Sequence, residues 1–151
     1  MSTCRIRTIF VIFFFAVMFD TGQAISSDDP IFSFLVQDVL GEHDSANLLT
    51  GRRVVFTALG KPCRDIGPFA AFREKLPVKQ RDQVLILCVG KDVQTTNPYI
   101  GIASNDAIRA LGITGTPMIL GIEENRVKWR IAGRIPQWQV FAESWLNTEV
   151  K

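Results

Sequence analysis

The chain has 151 residues, enough for one domain of ordinary size. Hydrophobic residues make up 47% and charged residues 21%, which excludes a disordered chain and leaves ample material for a core. With a formal charge of +2 and no basic run longer than Arg52-Arg53, the chain has no electrostatic basis for gripping nucleic acid or an anionic membrane.

The first 24 residues differ in kind from the rest. Arg5 and Arg7 precede an unbroken apolar run from Ile9 to Phe19, and Gly22 and Ala24 place small residues where a signal peptidase reads. The run is about half the ~20 apolar residues a membrane span needs. The expectation is a signal peptide over 1–24, cleaved after Ala24, and an exported domain over 25–151 in the periplasm or outside the cell. Membrane attachment would then arise only through an uncleaved signal segment. Cys4 would leave with that segment, so Cys63 and Cys88 would remain in a compartment where disulfides persist.

Residues 25–30 read as a polar lead-in. Phe32 to Val39 is interrupted apolar sequence ending at Gly41-Glu42, the pattern of a short hairpin or an irregular edge. Arg53 to Ala58 is β-branched and aromatic, a buried strand. Leu59 to Lys61 breaks it. Pro62 suits the first turn of a helix, where its missing N–H costs nothing. The amphipathic stretch Cys63 to Leu76 is expected to be that helix, kinked at Pro68. Gln83 to Val89 is a second core strand, expected beside the first, and Gly90 to Ser104 a long connection. A helix over Asn105–Leu111 closes at Gly112. Strands follow over Met118–Ile122 and Arg126–Ile131, turning at Glu124-Asn125, and Pro136–Leu146 is a closing amphipathic helix. This order implies an α/β fold, a mixed central sheet with helices on both faces.

Two segments carry chemistry. Cys63 follows a strand at an expected helix start, where free N–H groups and the helix dipole favour a thiolate. Thr116-Pro117 enters a core strand although proline cannot donate to the ladder, which a cis peptide would explain. The other candidates are weaker. His43 is a lone histidine between Glu42 and Asp44, read as a solvated loop residue. Trp129, Trp138 and Trp145 read as packing residues. No cluster has metal-ligand spacing, and no cofactor is implied.

Taken together, Pro62-Cys63 opening a helix, Pro68 five residues later, Gly112-Ile113-Thr114-Gly115-Thr116-Pro117 before a strand, and Gly133 after the hairpin resemble the thioredoxin superfamily. The lead-in from Phe34 to Gly51, with a hairpin-like N-terminal extension, is most similar to its exported TlpA/ResA branch. The resemblance implies a thioredoxin-like fold over roughly Phe32 to Leu146. It also implies a protein thiol or disulfide partner docking at Pro62, Thr116 and Pro117. The chain departs from the family in its motif, which reads Gly60-Lys61-Pro62-Cys63 instead of C-x-x-C. Leu59 replaces the usual tryptophan, and Val54 stands where thioredoxin carries a buried acid. A peroxiredoxin motif would need threonine at Gly60. Dithiol exchange within the motif is impossible.

For Cys63 two readings stand: a monothiol that exchanges disulfides with a partner, or a relic in a redox-inactive fold that binds a partner through the Thr116-Pro117 surface. For Cys88 the choice is a small buried hydrophobe or a disulfide partner of Cys63, which requires Cα atoms about 4.4–6.8 Å apart.

Overall fold

The computed structural model describes residues 25–59, 66–89, 95–133 and 136–148. The expected signal segment 1–24 and the expected site residues Pro62 and Cys63 lie outside the described residues.

In chain order the elements are β1 (Ile25–Pro30), β2 (Leu35–Asp38), β3 (Gly41–Asp44), α1 (Ser45–Leu48), β4 (Arg52–Leu59), α2 (Gly67–Lys75) and α3 (Val78–Arg81). They are followed by β5 (Val84–Val89), β6 (Ile100–Ala103), α4 (Asp106–Leu111), β7 (Met118–Glu123), β8 (Arg126–Ala132) and α5 (Trp138–Asn147). The strands form one mixed sheet in the order β1-β8-β7-β4-β5-β6-β2-β3. β4, β5 and β6 run parallel, and the remaining pairings are antiparallel.

Side chains on a strand alternate between faces, and in β4 and β5 both faces are apolar, as expected of strands covered on two sides. Val54, Phe56, Ile86 and Cys88 point to one layer, where they meet Phe69 and Phe72 of α2 and Trp138, Ala142 and Leu146 of α5. Val55, Leu87 and Val89 point to the other, against Ala107, Ala110 and Leu111 of α4 and against Val36 and Leu49. This is the expected mixed sheet flanked by helices. At the centre of the first layer Phe56 stacks on Phe69 at 4.4 Å and meets Trp138 edge-on at 5.1 Å.

Four readings of the sequence change. Residues 25–30, read as a polar lead-in, form β1 and pair antiparallel with β8. Ser27 Oγ donates to the Val127 carbonyl at 2.9 Å, and Asp28 salt-bridges Arg126 and Lys128. Polar residues suffice there because this is an edge strand held by its backbone and by charge pairs. The connection Gly90–Ser104 contains β6, a run too short to announce itself. Gly101 lets it approach closely, since a Cβ there would lie 3.0 Å from Leu87 Cδ2 and against Val36. Pro68 does not kink a helix interior: α2 begins at Gly67, so Pro68 occupies its first turn, where no N–H is required. His43 lies on β3, with its ring 3.0 Å from Asp38 Oδ1, and not on a loop.

Candidate functional site

β4 and β5 are parallel and end together, with Ala58 in register with Cys88 and Leu59 with Val89. β7 runs the opposite way on the other side of β4 and begins here, with Met118 opposite Thr57 and Ala132. One end of the sheet therefore gathers the exit of β4, the exit of β5 and the entrance of β7. The residues between β4 and α2, which include Cys63, leave from this end.

The Thr116–Pro117 loop is placed by backbone pairing. Gly112, at φ 63°, ends α4 in the left-handed conformation that glycine adopts without a Cβ penalty. The chain then turns through Ile113, which is buried, to Thr116, which is exposed. The Thr116–Pro117 peptide is cis. The Pro117 carbonyl accepts from the Gly133 N–H at 2.8 Å, which ties the loop to the end of β8. Thr57 is fully buried, and its hydroxyl donates to the Met118 carbonyl at 3.2 Å, fixing the start of β7 against β4.

Cys88 is 1% exposed and lies in the layer beneath α2. It is disulfide-bonded. That overturns its reading as an inert small hydrophobe. The chain's other cysteines, Cys4 and Cys63, are both outside the described residues. Of the expected site residues, the structure therefore brings Cys88, Thr116 and Pro117 to one end of the sheet. His43 is not among them: β3 is the outer strand, separated from β5 by β2 and β6.

The perturbed carboxyl groups lie on the outer strands. The Arg126 and Lys128 side chains hold the Asp28 carboxyl at about 2. Burial alone would raise the Asp38 carboxyl, but the Leu40 N–H, the His43 ring and the Gly41 N–H together hold it below its usual value. The Ser33 hydroxyl and the Ala46 N–H lower that of Asp44. These groups anchor β1 and the β2–β3 hairpin. Trp145 donates its indole N–H to the Arg53 carbonyl at 2.9 Å and packs edge-on to Trp129, so the tryptophans are structural. No three metal-ligating side chains converge among the described residues. No helix among them is long and apolar enough to cross a membrane.

The chain matches no protein-family model. It matches no curated protein sequence either. Its structure is similar to solved ones. A thiol:disulfide interchange protein from Bacteroides sp. superposes with a TM-score of 0.58 at 13% identity, covering 82% of this chain and 92% of that one. A thiol:disulfide interchange protein of the thioredoxin family from Chlorobium tepidum gives 0.53 at 19% identity, covering 83% and 99%. The apo form of Sco1 from Thermus thermophilus gives 0.55 at 15% identity, covering 82% and 94%. The fold is thioredoxin-like.

Proposed function

We propose that this chain is an exported thioredoxin-fold protein that takes part in thiol–disulfide exchange, with Cys63 as the sulfur that meets a protein thiol or disulfide. The observation that carries the reading is the disulfide at Cys88. It lies at the end of the sheet from which the Cys63 segment departs and at which the Thr116–Pro117 loop sits. Thiol:disulfide interchange is also what two proteins of like fold are named for. Export is supported by the apolar run Ile9–Phe19 with its small residues at Gly22 and Ala24. A partner would dock in extended form along the exposed Thr116 and the half-buried Pro117. The Cys63 thiolate would attack one partner sulfur, forming a mixed disulfide as the other sulfur leaves. Because Gly60 replaces the motif's other cysteine, the motif itself holds no thiol to resolve that adduct. In the monothiol route a thiol from outside the motif does so.

The test is exchange with an aromatic disulfide reagent that releases a coloured thiol. The reduced protein should release that thiol promptly at pH 8, and Cys63→Ser should slow the release about tenfold or more. Unchanged release in Cys63→Ser overturns the proposal. A second reading, a redox-inactive fold that binds a partner through the Thr116–Pro117 surface, is favoured by Gly60 and by the apolar, fully buried Val54. It is supported if Cys63→Ser leaves the chain's biological activity intact.

A further inference from the structure

We propose that a cleft at the opposite end of the sheet binds a small aliphatic carboxylate, held by the guanidinium of Arg73. The cleft lies where β4, β5 and β6 begin, beside Arg53, Val84 and Ile100. Val84 and Val89 are the two ends of β5, about 17 Å apart at ~3.3 Å per residue. This end is therefore separate from the one that carries the Cys88 disulfide, and nothing in it depends on the exchange chemistry proposed above.

Arg73 is held so that one edge of its guanidinium has nothing to bond. It projects from the last turn of α2, and its side chain is only 14% exposed. The guanidinium lies over the ring of Tyr99, with Cζ 4.6 Å from the ring centre, which fixes its plane. Nη1 is used, donating to Glu74 Oε1 at 3.2 Å. The edge formed by Nε and Nη2 is not. Nε is buried and has no hydrogen-bond partner. Nη2 approaches Asp82 Oδ1 at 3.9 Å, too long for a hydrogen bond, and the Asp82 side chain is 90% exposed. Folded proteins rarely leave a buried donor unmet, because it gives up its hydration for nothing in return. The Nε–H and Nη2–H donors run parallel, and a planar pair of oxygens is what such a fork accepts.

The rest of the cleft selects the ligand. Its volume is about 220 Å³, room for about seven waters at ~30 Å³ each and less than a drug-sized ligand needs. Val36, Leu48, Leu85 and Ile100 give it an aliphatic wall, which a short hydrocarbon chain can cover and a bare phosphate cannot. Charge favours an anion as well. Arg53 gives its Nε–H to the Thr50 carbonyl at 3.0 Å and Nη1 to the Asp82 carbonyl, both neutral acceptors, so its positive charge adds to that of Arg73. Two carboxylates also border the cleft. Asp38 is engaged by the Leu40 and Gly41 N–H groups and by the His43 ring, and Asp82 stands in water, where its charge is screened. A carboxylate on a chain of about four carbons satisfies both requirements, with its oxygens on the Arg73 fork and its tail on the aliphatic wall.

Tyr99 is the chain's one tyrosine, so fluorotyrosine labelling places a single reporter over Arg73. Titration of the full chain with sodium butyrate, against sodium chloride at matched ionic strength, should shift that fluorine signal saturably in the millimolar range. The Arg73 Nε–H resonance should move downfield with it as the hydrogen bond forms. Butanol has the tail without the carboxylate, and inorganic phosphate has the oxygens without the tail. Each should bind about tenfold more weakly or worse. Arg73→Lys keeps the charge but loses the fork, and should weaken butyrate binding about tenfold. Arg109→Gln, at an exposed position on α4, should leave it unchanged. A response to butyrate that never saturates overturns the site, and that titration needs no variant to fold. Equal binding by the parent and Arg73→Lys overturns the role of the fork. Phosphate binding as tight as butyrate binding overturns the choice of an aliphatic carboxylate.

Discussion

Phe56 and Gly121 show how single residues set this core. Phe56 stacks on Phe69, meets Phe72 and Trp138 edge-on, and is fully buried between the sheet and two helices. Removing its ring would leave a cavity that four surrounding elements cannot collapse together. Phe56→Ala should therefore destabilise the chain by about 3–5 kcal/mol, read as a drop in denaturant midpoint at constant slope. Gly121 works in the opposite sense, because it must have no side chain. It faces Trp129 across the β7–β8 pair, and a Cβ there would collide with the indole. Gly121→Ala should cost about 1–3 kcal/mol as an overpacking defect. In a Trp129→Ala background most of that cost should vanish, and a double-mutant cycle would measure the coupling. Additive losses would show that backbone conformation, not the indole, requires the glycine.

At the scale of elements, β1 is an edge strand whose sequence has little apolar content, and charge pairing fastens it. Asp28 accepts from Arg126 Nε at 3.0 Å and from Lys128 Nζ at 2.6 Å, and Asp29 pairs with Arg130 at 2.7 Å. The Asp28 carboxyl is held at about 2, below its ordinary value of 3.8. A depressed carboxyl contributes stability that is fully present above the unfolded value and lost as pH falls through the folded one. Attachment of β1 should thus weaken between about pH 4 and pH 2, and hydrogen exchange over residues 25–30 should quicken in that window while β4 and β5 stay protected. Because the pair is exposed, added salt should act in the same direction at neutral pH. Asp28→Asn should remove the acid dependence. If β1 of the parent exchanges at the same rate at pH 2.5 and pH 6, its attachment is carried by backbone pairing alone.

For the whole molecule, two apolar layers on one sheet leave a single end where β4, β5 and β7 meet. The disulfide at Cys88 sits in the layer that packs α2 onto the sheet, so it joins chemistry to stability. A disulfide from Cys88 to either of the chain's other cysteines, Cys4 or Cys63, closes a loop of at least 25 residues. Such a closure restricts the unfolded chain by about 3 kcal/mol in the entropic account. Reduction of the intact protein should therefore lower its stability by about that amount, measured by denaturation with and without reductant. An unchanged midpoint would mean that the crosslink leaves the unfolded chain as free as before.

The sequence alone determined the central strands and the class of fold. Arg53–Ala58, Gln83–Val89 and Met118–Ile122 are apolar on both faces, and only a sheet covered on two sides can bury such runs. The helix stop at Gly112 and the turn at Glu124-Asn125, both residues at positive φ, were equally legible, because their backbone preferences are local. What the sequence left undecided depended on partners far along the chain. β1 is a strand because β8 offers it a backbone edge and three cations, not because of its own composition. β6 is a strand because Gly101 lets it lie against Leu87 and Val36. At the candidate site the spacing of residues disclosed one thiol and a missing one. Whether Cys88 was packing or chemistry could not be read from a buried cysteine in an apolar run. Only the parallel register of β4 and β5, which brings Ala58 beside Cys88, puts its disulfide at the end of the sheet from which the Cys63 segment leaves.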